Sequence, residues 1–253
     1  MAMTSKVTIS NENKNTGFIS HLSKTVGWTF ALIFLPQLVL SFGFGIFFGV
    51  QQGSDYTPEA FNLWFSSVPV LLTLTLISPL LTFPLLKKAS QAKNWNACLE
   101  FCALKKVDAS VCAKWLIIGF IYWSLSSLAG LLFNIPVEQF MLDIRSTSDN
   151  ITNVVLVVLT ICIVVPIMEE LIFRGWLYSK IEQSRLGKFG ALVLSSIIFT
   201  AIHTQYENTV TLVIIFLLGF LLGFVRFRSG NISYCIAIHM LFNSLAIFAL
   251  FLL

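Results

Sequence analysis

The sequence predicts an all-α, polytopic bundle of transmembrane helices with about seven spans. Three observations predict it. Hydrophobic residues make up 57% of the 253-residue chain and charged residues only 11%, whereas a soluble domain is about half apolar and about a quarter charged. Apolar runs approaching the ~20 residues needed to cross a bilayer recur along the chain. Most charges lie between those runs, and their sign changes from one connection to the next.

Taken in order, the predicted spans are 26–50, 61–86, 115–133, 154–173, 189–203, 210–225 and 232–253. The fifth and sixth fall short of the usual length. Lys6, Lys14 and Lys24 precede the first span, and six lysines between Lys87 and Lys114 fill the second connection. Lys180, Arg185 and Lys188 follow the fourth span, and Arg226 and Arg228 follow the sixth. The remaining connections are acidic, with Asp55, Glu59, Glu138, Asp143, Asp149 and Glu207 against a single Arg145. Basic loops stay in the cytoplasm. An odd number of spans, with a cytoplasmic N-terminus and the C-terminus opposite, satisfies every loop. The expected location is a plasma membrane, or the inner membrane of a prokaryote.

The polar N-terminal segment reads as lacking a cleavable signal, because the first apolar run is too long and no small-residue cleavage site follows it. The five cysteines fall in spans or basic loops, so disulfides are not expected. Cys98 and Cys102 have no histidine or second cysteine pair to complete a metal site. Gly219 and Gly223 on the sixth span fit close helix packing inside the monomer. The chain reads as one membrane domain, 1–253. Residues 1–150 hold spans of unassigned role, and 151–253 carry the unusual polarity. No nucleic-acid partner is expected; the bilayer is.

That polarity sits at three stations. The fourth span carries PIMEELIFRG, in which Glu170 and Arg174 are four apart and can pair on one helical face. Glu169 is turned about 100° from Glu170 and faces elsewhere. Pro166 lacks a backbone donor, which frees the carbonyl of Cys162 and favours a kink before the pair. The fifth span places Phe199 four before His203, and the seventh places His239 four before Asn243. A charge at the bilayer centre costs on the order of 3 kcal/mol, so such groups persist where they partner one another or line a hydrated cavity. Taken singly, each station also fits a plainer account: an acidic pair emerging into solvent, or a packed histidine bonded to a carbonyl.

Together they supply the parts of a hydrolase that activates water without a covalent nucleophile. A carboxylate and a histidine can hold and deprotonate the water. Histidine and amide N–H groups on another helix can stabilise the oxyanion formed on attack at an amide. Two histidines and a glutamate also fit zinc.

The ordered triplet EELIFR (169–174), FTAIH (199–203) and HMLFN (239–243) resembles the CPBP family of CAAX-protease and bacteriocin-processing intramembrane endopeptidases, also called Abi or Rce1-like. The resemblance covers roughly 154–243, includes the connecting FRGWLY, and does not reach the first three spans. It implies a glutamate-dependent intramembrane protease with no cofactor and no metal. Glu169 would be the general base, and His203 would share the activated water. His239 and Asn243 would stabilise the oxyanion, with Glu170 and Arg174 as a supporting ion pair. The substrate would be a peptide or membrane protein, with prenylation not assumed. A non-catalytic scaffold or immunity-type protein of the same fold is the alternative. A transporter is disfavoured by the lack of internal repeats. On straight ideal helices Glu169 and His203 would lie at different depths, which the fold must reconcile.

Overall fold

The computed structural model describes residues 3–252, with side chains from Gly17 onward; the side chains of Lys6 and Lys14, and Leu253, lie outside that set. The described residues form an all-α bundle. Its helices are α1 (Met3–Gln52), α2 (Pro58–Phe65), α3 (Val68–Ile77), α4 (Pro79–Ser90), α5 (Trp95–Phe101), α6 (Ala109–Leu132) and α7 (Gln139–Thr147). They continue as α8 (Ile151–Glu182), α9 (Gly187–Ala201), α10 (Thr209–Ser229) and α11 (Ile232–Leu252). Five are long and apolar enough to cross a membrane, six if the bent pair α2–α3 counts as one span. The chain is thus an integral, multi-pass membrane protein. Its lipid-facing side is openly apolar, with Leu38, Phe42 and Val50 on α1 at 67–77% exposure.

All seven predicted segments fall on helices, but the second and fourth differ from expectation, and the sixth, expected to fall short, forms the 21-residue α10. The second is not one span. Its helix breaks after Phe65, turns by 63° into α3, and restarts again at Pro79. Pro69 and Pro79 each sit in a first turn, where a missing N–H breaks no helical bond. The fifth, α9, spans 15 residues and is short for a crossing. The fourth, expected to end at Phe173, runs on to Glu182.

That extension matters most. Leu171 to Ser179 are all buried, with Trp176, Leu177 and Tyr178 in the main core beside Leu32 of α1, Leu86 of α4 and Cys98 of α5. Gly175 permits this approach, since a β-carbon there would lie 2.9 Å from that of Cys102. Two stretches of α8, Val158–Val164 and Leu171–Leu177, are π-helical, a form that concentrates at functional sites. The bonds run i→i−5 in the first stretch, as from the Val165 N–H to the Thr160 carbonyl. Pro166 therefore leaves the Ile161 carbonyl without its donor, not that of Cys162 as a pure α-helix would require. The Asn243 amide fills that vacancy, with Nδ2 donating at 2.9 Å.

Caps set the ends of the elements that carry the site. Asn150 opens α8 by accepting the Asn153 N–H, and Asn208 opens α10 by accepting that of Val210. Asp108 opens α6 by accepting the Ser110 and Val111 N–H groups. Hydrogen bonds from Ser110, its hydroxyl above all, and from the Val111 N–H hold the Asp108 carboxyl below the usual range. α10 closes at Gly230, whose φ of +61° turns the chain back into α11. The side chain of Asn231 then accepts the Lys105 N–H and donates to the Lys106 carbonyl at 3.0 Å, while Ile232 N–H donates to the Ala103 carbonyl at 3.0 Å. This tie to the basic connection fixes the depth at which α11 presents His239.

Candidate active site

Glu170 and Arg174 face inward on α8, both with fully buried side chains, and pair at 3.0 Å. The solvated acidic pair weighed from sequence is thereby corrected. A buried pair survives only where neighbours serve its other donors and acceptors, and here they serve most of them, with Glu170 Oε2 and Arg174 Nε left unpartnered. Arg174 Nη2 donates to the Gly219 carbonyl at 2.9 Å, and its guanidinium stands 4.2 Å from the centroid of the Phe199 ring. Phe199, first residue of the FTAIH station, is thus the platform of the arginine. Gly219 makes room: a β-carbon there would lie 3.1 Å from Phe199 Cδ1 and 3.3 Å from Arg174 Nη2. Gly219→Ala is expected to destabilise the protein by about 1–3 kcal/mol, read as a lower unfolding midpoint in micelles. An unchanged midpoint would show that the arginine tolerates displacement.

Glu170 also reaches α11. His239 Nδ1 lies 3.0 Å from the same Oε1 that holds Arg174. An ionised carboxylate only accepts, so Nδ1 carries the proton and Nε2 is turned toward Glu169, 3.8 Å from its Oε2. That separation exceeds a hydrogen bond, and Glu169 Oε2 is buried with no partner. On α9 the Phe199 carbonyl lies 2.6 Å from His203 Nδ1. A carbonyl also only accepts, so Nδ1 is the donor there and the neutral imidazole of His203 has its lone pair on Nε2.

Glu169, His203, His239 and Asn243 line one cavity of about 230 Å³. The fold thus brings to one cavity residues that straight ideal helices would hold at different depths. Glu170 and Arg174 stand behind the cavity rather than in it. Among the described residues, no group of three or more His, Cys, Asp or Glu side chains could hold a metal ion.

Several wall residues carried no recognised sequence signal. Thr160 and Tyr206 line the same cavity. Tyr206 stacks on His203, with ring centroids 6.2 Å apart and planes at 15°. Its loop is tied down by Glu138, whose carboxylate accepts the Glu207 and Asn208 N–H groups at 3.2 and 3.3 Å. Burial, with Glu169 and Glu138 nearby, pushes the Tyr206 phenol up to about 12, so it stays a protonated donor at neutral pH. A second cavity of about 120 Å³ meets the first at Glu169, Thr75 and Val165, walled by Leu32 and Gln37 of α1 and Thr82 of α4. The N-terminal helices thus form the far side of Glu169.

Residues 151–245 match the model of the family described as "Type II CAAX prenyl endopeptidase Rce1-like". That segment is similar to the Rce1-like family. It holds all six residues of the three stations and both π-helical stretches, and it ends two residues past Asn243. An "Uncharacterized 24.3 kDa protein" of Escherichia coli is 35% identical over 115 residues, 45% of this chain. The match spans about half of that relative, 52% of its length. No solved structure matches the chain.

Proposed function

We propose that the chain is an intramembrane endopeptidase that hydrolyses a peptide bond in a membrane-associated peptide or protein, using water activated by Glu169 and His203. The observation that carries this reading is the meeting of Glu169, His203, His239 and Asn243 on one cavity, with His239 held from behind by Glu170 and Arg174. The Rce1-like match supports the same class.

Glu169 Oε2 has no protein partner to give up and is free to accept a proton from water. His203 Nε2 accepts the other hydrogen of that water, which aims an oxygen lone pair at the substrate carbonyl carbon. As the C–O bond forms, the carbonyl oxygen gains negative charge. Asn243 has a second Nδ2 hydrogen beyond the one given to Ile161 and can donate to it. His239 donates from Nε2 when that nitrogen is protonated. Glu169 is by then neutral, so Arg174 and a protonated His239 offset Glu170 and the oxyanion, and the net charge of the array does not change as the oxyanion forms. Collapse of the tetrahedral adduct breaks the C–N bond, and Glu169 returns its proton to the leaving amine. The basic connections favour a cytoplasmic N-terminus.

The test is a comparison of peptides and membrane proteins in three strains of the host: wild type, deletion, and Glu169→Gln. The same uncleaved protein is expected to accumulate in the last two. A Glu169→Gln strain that matches wild type, with the protein present in the membrane, would sink the proposal and favour a scaffold.

A further inference from the structure

The cavity wall contains one hydroxyl that does not behave like its counterparts. Thr25, Thr29, Thr73, Thr75, Thr82, Thr147 and Thr200 all sit in helices and donate their hydroxyls to the carbonyl four residues earlier, at 2.7–3.1 Å. This is the ordinary fate of a helical threonine. Thr160 is fully buried and its Oγ1 has no partner. A buried polar atom without a partner destabilises the resting protein, and such an atom in a native fold asks for an explanation.

Its position suggests one. Thr160 lies within the first π-helical stretch of α8, where its own carbonyl is taken by the Val165 N–H. The next residue, Ile161, holds Asn243 through its carbonyl. Thr160 lines the same cavity as the amide read above as an oxyanion donor, together with Glu169, His203 and His239. Asn243 has given one N–H to Ile161 and keeps one for substrate, whereas His239 has given Nδ1–H to Glu170 and offers a second donor only when Nε2 is protonated. Thr160 has its only one still unused.

We propose that the Thr160 hydroxyl is a further catalytic donor, hydrogen-bonding the carbonyl oxygen of the bound peptide beside Asn243; this rests on the endopeptidase reading. The proton stays on the threonine throughout. The bond strengthens as the carbonyl oxygen becomes an oxyanion, so its effect falls on kcat rather than KM.

Two variants of the full chain, Thr160→Val and Thr160→Ser, test this in bilayer discs with a quenched-fluorescence library of membrane-spanning peptides. Thr160→Val preserves shape and removes the hydroxyl. It is expected to lower kcat about 10²-fold, the low end of what one oxyanion donor supplies, with KM within about twofold. Its unfolding midpoint is expected to rise by about 2–4 °C, because an unpartnered polar atom has been removed. Thr160→Ser should recover most of kcat.

An equal or lower midpoint for Thr160→Val would mean that the hydroxyl is already satisfied at rest, by a bound water for instance, and overturns the proposal. A raised midpoint with unchanged kcat overturns the substrate role; an inactive Glu169→Gln in the same assay leaves the endopeptidase reading standing. A rise in KM at constant kcat limits the hydroxyl to ground-state binding and overturns the transition-state role. Wild-type protein that cleaves nothing ends both.

Discussion

Glu169→Gln is expected to lower kcat by about 10²- to 10⁴-fold, the range a positioned general base supplies, while leaving the fold intact. The structural half of that expectation follows from the carboxylate's surroundings. Glu169 Oε2 makes no hydrogen bond, and its approach to His239 Nε2 is 3.8 Å. A glutamine of nearly the same shape breaks no hydrogen bond of Oε2, so the unfolding midpoint should stay within about 2 °C, no more than a change of about 1 kcal/mol produces in a chain of this size. The chemical half follows from the proton's route. A glutamine cannot take a proton from water and cannot hand one to the leaving amine, so both halves of the cycle lose their carrier. Single-turnover cleavage of one defined peptide, with variant and wild type at equal folded concentration, checks both. Residual activity within about threefold of wild type would remove Glu169 as the base. His203, whose Nε2 holds the imidazole lone pair on the same cavity, would then have to act alone.

What the sequence revealed, and what it hid, divides along the range of the interactions involved. Pairings four residues apart were legible because a helix repeats every 3.6 residues whatever surrounds it. Glu170 with Arg174 at 3.0 Å and His203 with the Phe199 carbonyl at 2.6 Å are of this kind. The length of α8 was not legible. Hydropathy scores RGWLYSKIE as a segment leaving the membrane, whereas the fold buries Arg174 through Ser179 in protein. Apolarity measures transfer out of water and does not separate a protein interior from lipid. The π-helical register was hidden for a related reason. It depends on Asn243, 82 residues away, capping the carbonyl that Pro166 leaves bare. Thr160 was invisible because a threonine in an apolar helix ordinarily satisfies itself, and only the contacts of the folded chain reveal that this one does not. The break after Phe65 had its signal in Ser66-Ser67-Val68-Pro69, which the apolar content around it overrode.

Arg174→Ala is expected to cost about 3–5 kcal/mol of stability, the range for breaking a buried pair by removing one partner. The loss is large because Glu170 is fully buried and would keep its charge with only His239 beside it. The Gly219 carbonyl would also lose its donor and the Phe199 ring its cation. Arg174→Lys should recover only part of this. One ammonium point cannot repeat a fork that serves Glu170 with Nη1 and Gly219 with Nη2. Lower activity in either variant would be ambiguous, since an unfolded protease and a misaligned one both fail. The double variant Glu170→Gln with Arg174→Met separates the two. Removing both charges together leaves no buried ion, and neutral replacement of such a pair is often tolerated, so its unfolding midpoint should lie well above that of Arg174→Ala. Its kcat should nevertheless stay low, because an amide at position 170 no longer supplies the negative charge that balances a doubly protonated His239. A double variant that is both stable and fully active would show that the pair serves only to hold α8 against α10. His239 would then owe its orientation to packing on Phe199, whose ring meets its own edge-on with centroids 5.9 Å apart.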